Sequence, residues 1–150
     1  GLITVDLPPE EVASMNAELQ RQNIDNIFLI SPTTSDERVA TITAQASGFI
    51  YYVALKGVTG AGHLDTDAVE AHLASIRQHT DLPVAVGFGI KDADTAATVA
   101  RCADAIVVGS ALVDLVANDL IAGGSHDSAI SEACSLISSI RNGVNLATSN

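Results

Sequence analysis

The stretch "LPVAVGFGIKDADTAATVARCADAIVVGSALV", residues 82–113, contains the pattern that decides the fold. An apolar, β-branched run ends in the glycine turn "GFGI" and is followed by a helical stretch. A second apolar run then ends in "GS", where another helix begins. Both runs are continuously apolar rather than alternating, which is typical of parallel strands covered on both faces. The stretch therefore predicts two consecutive βα units of a parallel α/β fold.

The same alternation of strand and helix continues through the rest of the chain, with a strand every 22 to 35 residues, roughly. The predicted strands are residues 2–5, 27–30, 49–53, 84–88 and 105–108. Boundary signals agree with the helices between them. Thr34 with Glu37 predicts a capping box, and Asp92 is a predicted N-cap.

Apolar residues also recur at helical spacing in the last helix. Ile130, Cys134, Ile137 and Ile140 lie three or four positions apart, which predicts a buried face. Both cysteines, Cys102 and Cys134, lie in alanine-rich helical text. They are predicted to be small buried side chains in a reducing compartment rather than a disulfide or a nucleophile.

Composition excludes several classes of protein. The 150 residues are enough for one domain with a sizeable core. A net charge of −11 argues against a nucleic-acid-binding protein, because phosphate backbones require basic faces. The sequence contains no run of about 18 apolar residues, so it predicts no transmembrane helix. The four histidines show no metal-ligand spacing, so we expect no metal site.

Two architectures fit this alternation of strands and helices. One is a doubly wound sheet and the other is part of a (β/α)8 barrel. A whole barrel needs about 250 residues, so this chain would supply only its last five strands. Composition does not choose between the two. The chain enters an apolar strand directly after Gly1, and we expect residues 1–150 to be one partial domain of a longer chain.

Three of the predicted strands end in glycine-rich text, at the carboxyl ends where both architectures place their chemistry. These segments are "ALKGVTGAGHL" (54–64), "GFGI" (87–90) and "GS" (109–110). Glycine lets backbone N–H groups approach a phosphate, and a helix start adds its dipole. Singly, the last two motifs are also explained by a tight turn and a helix start without ligand. In neighbouring units they predict a phosphate site. The first segment lacks the Walker A pattern, and its length is typical of a lid.

In this order, "FIYYVALKGVTGAG", "LPVAVGFGI" and "ADAIVVGSALV" resemble the tryptophan synthase alpha chain family. The resemblance runs from Asp6 to the final helix. Other phosphate-binding barrels, the competing interpretation, share the last two motifs but not "KGVTGA". The resemblance implies the C-terminal part, about strands four to eight, of a (β/α)8 TIM barrel whose N-terminal βα units are absent. It also implies a lyase that cleaves indole-3-glycerol phosphate to indole and glyceraldehyde 3-phosphate in tryptophan biosynthesis.

The resemblance assigns the substrate phosphate to backbone amides. It implies that Gly89, Gly109 and Ser110 hold the phosphate, and that Gly60 reaches it from the loop after the third strand.

The remaining residues that the resemblance assigns surround that site. Tyr51 and Phe88 would line the apolar slot for the indole ring. Thr59 would lie on the closing lid, which we expect to be mobile over residues 56–63 without ligand. Asp6 and Pro8 would lie in the region that faces the partner.

The implied partner is a pyridoxal-phosphate β chain in a cytoplasmic α2β2 heterotetramer, and no cofactor is expected in the alpha chain itself. The acid–base pair of the family is a glutamate on the second strand and an aspartate in the loop after it, and neither region is present in these 150 residues. We therefore expect this chain alone to be inactive. The alternative is a stand-alone, non-catalytic half-barrel that binds a phosphorylated ligand or a partner subunit.

Overall fold

A computed structural model describes residues 1–54, 66–87 and 89–148 of the chain, and within these ranges strands and helices alternate. The strands are β1 (Leu2–Thr4), β2 (Asn26–Ile30), β3 (Ile50–Val53), β4 (Val84–Gly87) and β5 (Ala105–Val107). The helices are α1 (Ala13–Arg21), α2 (Asp36–Thr43), α3 (Thr66–Ile76), α4 (Ala93–Ala100), α5 (Ser110–Ile121) and α6 (His126–Thr148), and a 3-10 turn at Pro9–Glu11 precedes α1. The predicted strand ends are confirmed to within one residue.

The strands form one parallel sheet in the order β1-β2-β3-β4-β5. A doubly wound sheet reverses its strand order at a switch point, whereas a barrel adds its strands in sequence. The sequential order therefore separates the two predicted architectures. The fold is α/β and corresponds to part of a (β/α)8 barrel.

The hydrophobic core lies between the sheet and its helices. Alternate strand residues such as Ile50, Tyr52, Val84 and Val86 are all at most 1% exposed and pack there. Burial raises the pKa of the Tyr52 hydroxyl to about 12, and its ring stacks on His72 with centroids 5.8 Å apart. No helix in the described ranges is long and apolar enough to cross a bilayer.

The N-caps of the helices follow the predictions at α4 but not at α2. Asp92 caps α4, as predicted. The cap of α2 is Ser35, whose side chain accepts a hydrogen bond from the Arg38 N–H, so the predicted Thr34 cap is wrong by one residue. The Thr34 hydroxyl is occupied, since it accepts a hydrogen bond from the Ser31 N–H at 3.1 Å.

The predicted buried face of α6 is wrong for three of its four residues. Ile140 is 4% exposed, as predicted, but Ile130 is 61% and Ile137 is 42% exposed. Cys134 is exposed as well, and Cys102 is only half-buried. The helix is therefore turned so that Ile130, Cys134 and Ile137 face away from the core.

The reason for this rotation is the contact between α6 and α4. The buried residues of α6 include Ala129 and Gly143, and Gly143 lies directly against the backbone of Ala93 at the start of α4. Such a close approach requires a small residue at the contact. Ile140 lies on the same buried face of α6, and Leu136 and Val144 pack against the core beside it.

Candidate functional site

The glycine turns after β4 and β5 leave the sheet side by side. Gly87 and Val107 are register partners in the two strands, and Gly89 and Gly109 each follow two residues later. The Ala54 N–H donates a hydrogen bond of 3.0 Å to the Gly87 carbonyl, so the last described residue after β3 lies at the same end of the sheet. The register thus brings Gly89, Gly109 and Ala54 to one end of the sheet.

The turn after β4 is tightly held. Gly89 has a φ of 79°, a conformation that residues with a Cβ rarely adopt. The next residue, Ile90, is 3% exposed and belongs to the core. The Asp92 carboxylate accepts hydrogen bonds from the Thr95 N–H at 2.8 Å and its hydroxyl at 2.6 Å. These hydrogen bonds lower the pKa of Asp92 and give α4 a side-chain cap from within the chain.

The start of α5 is different. Gly109 is its N-cap, with a φ of −120°, and no side-chain cap is present among the described residues. The Gly109 carbonyl accepts the first helical hydrogen bonds, from Leu112 at 3.0 Å and Val113 at 3.2 Å. A Cβ added at Gly109 would meet no atom of the described residues within 4 Å, and Ser110 is exposed. The uncapped start of a helix beside open space is suited to binding an anion.

Tyr51 lies on the sheet face opposite the core, and its ring covers Gly87. A Cβ added at Gly87 would overlap the Tyr51 hydroxyl oxygen and ring carbons. Because Tyr51 is the register partner of Ala85, its side chain reaches along β4 toward the glycine turn. The sequence singled out Gly87 only as the first residue of the "GFGI" motif. Its contact with Tyr51 follows only once the register of β3 and β4 is known.

Asp6 and Pro8 lie at the carboxyl end of β1, away from the glycine turns. Asp6 has a φ of 62°, in the left-handed region that few residues other than glycine adopt. Asp6 and Pro8 line a cleft of about 370 Å³ together with Phe28 and Arg38. The Arg38 guanidinium forms an ion pair with Glu10 at 2.9 Å.

Several predicted site residues are not among those that the structure describes. Thr59, Gly60 and Phe88, and the predicted mobile lid at residues 56–63, lie outside the described residues. In the part of the chain that the structure describes, no three His, Cys, Asp or Glu side chains come together in a group that could hold a metal ion.

Comparisons with known proteins cover nearly the whole chain. The family model described as "Tryptophan synthase alpha chain" matches residues 1–143. The tryptophan synthase alpha chain of Thioalkalivibrio sulfidiphilus is 60% identical over 117 residues, covering 78% of this chain and 44% of that protein. The one from Polaromonas naphthalenivorans is 51% identical over 130 residues, covering 85% of this chain and 48% of that protein.

The solved structures agree with the sequence relatives. The crystal structure of the tryptophan synthase alpha chain from Legionella pneumophila subsp. pneumophila matches with a TM-score of 0.80 and 32% identity, covering 99% of this chain and 53% of that one. The chain thus spans about half the length of the relatives that it matches. These matches favour the alpha-chain interpretation over an unrelated stand-alone half-barrel. The chain belongs to the tryptophan synthase alpha chain family.

Proposed function

We propose that this chain forms the phosphate- and indole-binding part of a tryptophan synthase alpha chain. The complete enzyme is a lyase that cleaves indole-3-glycerol phosphate to indole and glyceraldehyde 3-phosphate. One observation carries the proposal: two glycine turns leave the same edge of the sheet from adjacent strands, and the helix after the second turn has no side-chain cap among the described residues.

Backbone amides bind the phosphate in this proposal. Gly89, Gly109 and Ser110 supply them from the turns after β4 and β5, and Gly60 adds another from the loop after β3. The charge of the chain agrees with such a site. With seven Lys and Arg against eighteen Asp and Glu, a phosphate is better held by amides and a helix dipole than by a basic patch.

The indole ring binds beside the phosphate, against Tyr51 and Phe88. The position of the Tyr51 ring over Gly87 supports this, because it places an aromatic face next to the "GFGI" turn. Thr59, on the loop that begins just after Ala54, closes over the bound substrate. The hydrogen bond from the Ala54 N–H to the Gly87 carbonyl supports a lid at this end of the sheet.

Cleavage breaks the bond between indole C3 and the glycerol side chain. A general acid protonates C3, and a general base removes the hydroxyl proton as the aldehyde forms. We assign both groups to βα units that precede this partial domain in the complete protein. Of the carboxylates near the start of this chain, Glu10 is paired with Arg38. Because both groups are assigned outside these 150 residues, we propose that the chain alone binds substrate without cleaving it. We assign no cofactor to it.

The partner in this proposal is the pyridoxal-phosphate β chain, in a cytoplasmic α2β2 complex. We place its contact at the segment that contains Asp6 and Pro8. The exposed, left-handed Asp6 and the adjoining cleft support this assignment, since strained backbone is retained where function requires it.

The phosphate site can be tested by titrating the 15N-labelled 150-residue chain with inorganic phosphate and with indole-propanol phosphate. We expect the amide resonances of Gly89, Gly109 and Ser110 to move. Gly109→Asp places a carboxylate at the start of α5, where it competes with the phosphate, and should weaken binding about tenfold or more. Asn118→Asp adds the same charge on an exposed position of the same helix and serves as the matched control.

Unchanged amide resonances at millimolar phosphate would contradict the site. Equal losses in Gly109→Asp and Asn118→Asp would show that only the overall charge matters. The inactivity of the chain alone is tested separately, by assaying indole release from indole-3-glycerol phosphate. Release by the purified 150-residue chain would overturn it.

A further inference from the structure

Gly143 occupies an unusual place for a glycine, inside the 23-residue helix α6. A glycine in a helix interior is destabilising relative to alanine, so its presence calls for a packing or functional reason. Gly143 is buried. An added Cβ would overlap the Ala93 carbonyl oxygen and lie 3.0 Å from both the Cα and the carbonyl carbon of Ala93.

The contact cannot be relieved by a side chain, because all three nearest atoms belong to the Ala93 backbone. Any larger residue at position 143 must therefore move the start of α4 or α6 itself. Ala93 is the first residue of α4 and follows Gly89 by four positions.

The link from Ala93 back to Gly89 is short and held at both ends. Ile90 is anchored in the core with 3% exposure. Asp92 is tied to the first turn of α4 through two hydrogen bonds from Thr95. Only residues 90–92 separate Ala93 from Gly89, so a displacement of the Ala93 backbone acts close to the Gly89 turn.

The same helix also supports the other half of the proposed phosphate site. Residues 122–125 join α5 to α6, and the Ser128 hydroxyl donates a hydrogen bond of 2.7 Å to the Asp119 carboxylate across this joint. α5 and α6 also pack against each other, so a displacement of α6 acts on α5 as well.

We infer that Gly143 is a positioning residue for the phosphate site. Its missing side chain sets the spacing between α6 and the start of α4, and through it the spacing between the turns at Gly89 and Gly109. Gly143 itself does not touch the ligand. This inference rests on the proposed phosphate site and names a residue, distant in sequence, on which that site depends.

The test uses the 15N-labelled 150-residue chain, titrated with inorganic phosphate, as wild type, Gly143→Ala and Ile140→Val. Ile140, less than one turn earlier on α6, is 4% exposed. Ile140→Val removes one buried methyl group and so destabilises the core without adding an atom against Ala93. We expect Gly143→Ala to weaken phosphate binding about tenfold, since hydrogen bonds weaken steeply when misaligned. It should also move the unliganded Gly89 amide resonance, and Ile140→Val should do neither.

Three results would overturn the inference: wild-type affinity in Gly143→Ala, an equal loss in Ile140→Val, or complete unfolding of Gly143→Ala, which would make Gly143 a residue of the fold as a whole. If the wild type shows no phosphate-dependent shift at Gly89, Gly109 and Ser110, the proposed phosphate site itself fails. The unliganded spectra then decide the inference, because an unmoved Gly89 amide in Gly143→Ala overturns it.

Discussion

The neighbouring units β4–α4 and β5–α5 share one local pattern, a strand, a glycine turn and a helix, yet their turns are built differently. In the first unit, the Tyr51 ring covers Gly87, and the Asp92 side chain caps the helix. In the second, the start of the helix has no side-chain cap among the described residues, and Gly109 faces open space.

This difference separates two turns that share one local pattern. At the start of α4, the Asp92 carboxylate accepts a hydrogen bond from the Thr95 N–H. At the start of α5, no side chain among the described residues does so, and in our proposal its N–H groups bind the phosphate. The distribution of caps, rather than the glycine pattern itself, distinguishes the two helix starts.

The largest expected effect comes from filling the space above Gly87. Gly87→Ala forces the Tyr51 ring away from its neighbouring strand and should lower the free energy of unfolding by about 2 kcal/mol, as in other overpacked sites. Urea unfolding measures the loss. Gly109→Ala, in the equivalent turn, adds its Cβ to open space and should change stability by only a few tenths of a kcal/mol or so. Similar losses in both variants would remove the contrast between the two turns.

A smaller effect is expected from removing the cap of α4. Asp92→Ala deletes the acceptor of both Thr95 hydrogen bonds and should destabilise the fold by about 1 kcal/mol. Thermal or urea unfolding can detect this loss. The matched control is Ser110→Ala, at the uncapped start of α5, which should leave stability nearly unchanged. Equal losses in Asp92→Ala and Ser110→Ala would contradict the stabilising cap at α4.

The smallest expected effect on stability comes from Asp104, which links the amino-terminal ends of β4 and β5. Its carboxylate accepts hydrogen bonds from the Val84 N–H at 2.8 Å and from the Arg77 guanidinium at 3.0 Å. Burial acts to raise the pKa of Asp104, but these hydrogen bonds and the Arg77 charge outweigh it, so the pKa lies below its ordinary value of 3.8.

The folded state therefore binds protons at Asp104 less readily than the unfolded state. The stabilisation is present above pH 3.8 and is lost as the pH falls through the lower, folded-state pKa. We expect about 0.5 kcal/mol, because Asp104 and Arg77 are both exposed by more than a third. Urea unfolding between pH 7 and pH 2 should show a smaller acid-induced loss in Asp104→Asn than in the wild type. Identical pH profiles would contradict a contribution from this carboxylate.

Much of the fold could be predicted because its signals are local. The ends of β4 and β5 follow from apolar runs that stop at glycine, and the Asp92 cap follows from its place before a helical stretch. Parallel topology then brings Gly89 and Gly109 to one edge, since the carboxyl ends of neighbouring parallel strands meet there. The positions of the two turns needed no knowledge of distant contacts.

The rest depends on contacts between residues far apart in sequence. The buried face of α6 could not be predicted because it is selected by the close approach of Gly143 to Ala93, and small residues give a weak hydrophobic pattern. Gly87 gained its importance only from Tyr51 on the next strand. At α2, Thr34 and Ser35 are both chemically able to cap, and a hydrogen bond from the N–H of Ser31 occupies the first of them.

The hydrogen bond from the Ala54 amide to the Gly87 carbonyl makes Ala54 a natural reporter. It is the last ladder contact that the structure describes before the segment containing Thr59 and Gly60, and Ala54 is 2% exposed. Its exchange rate in deuterated water therefore measures how far any opening of that segment propagates into the sheet. Slow exchange at Ala54 would confine any opening to residues beyond it. If ligand slowed the exchange at Ala54, this end of the sheet would itself take part in the opening.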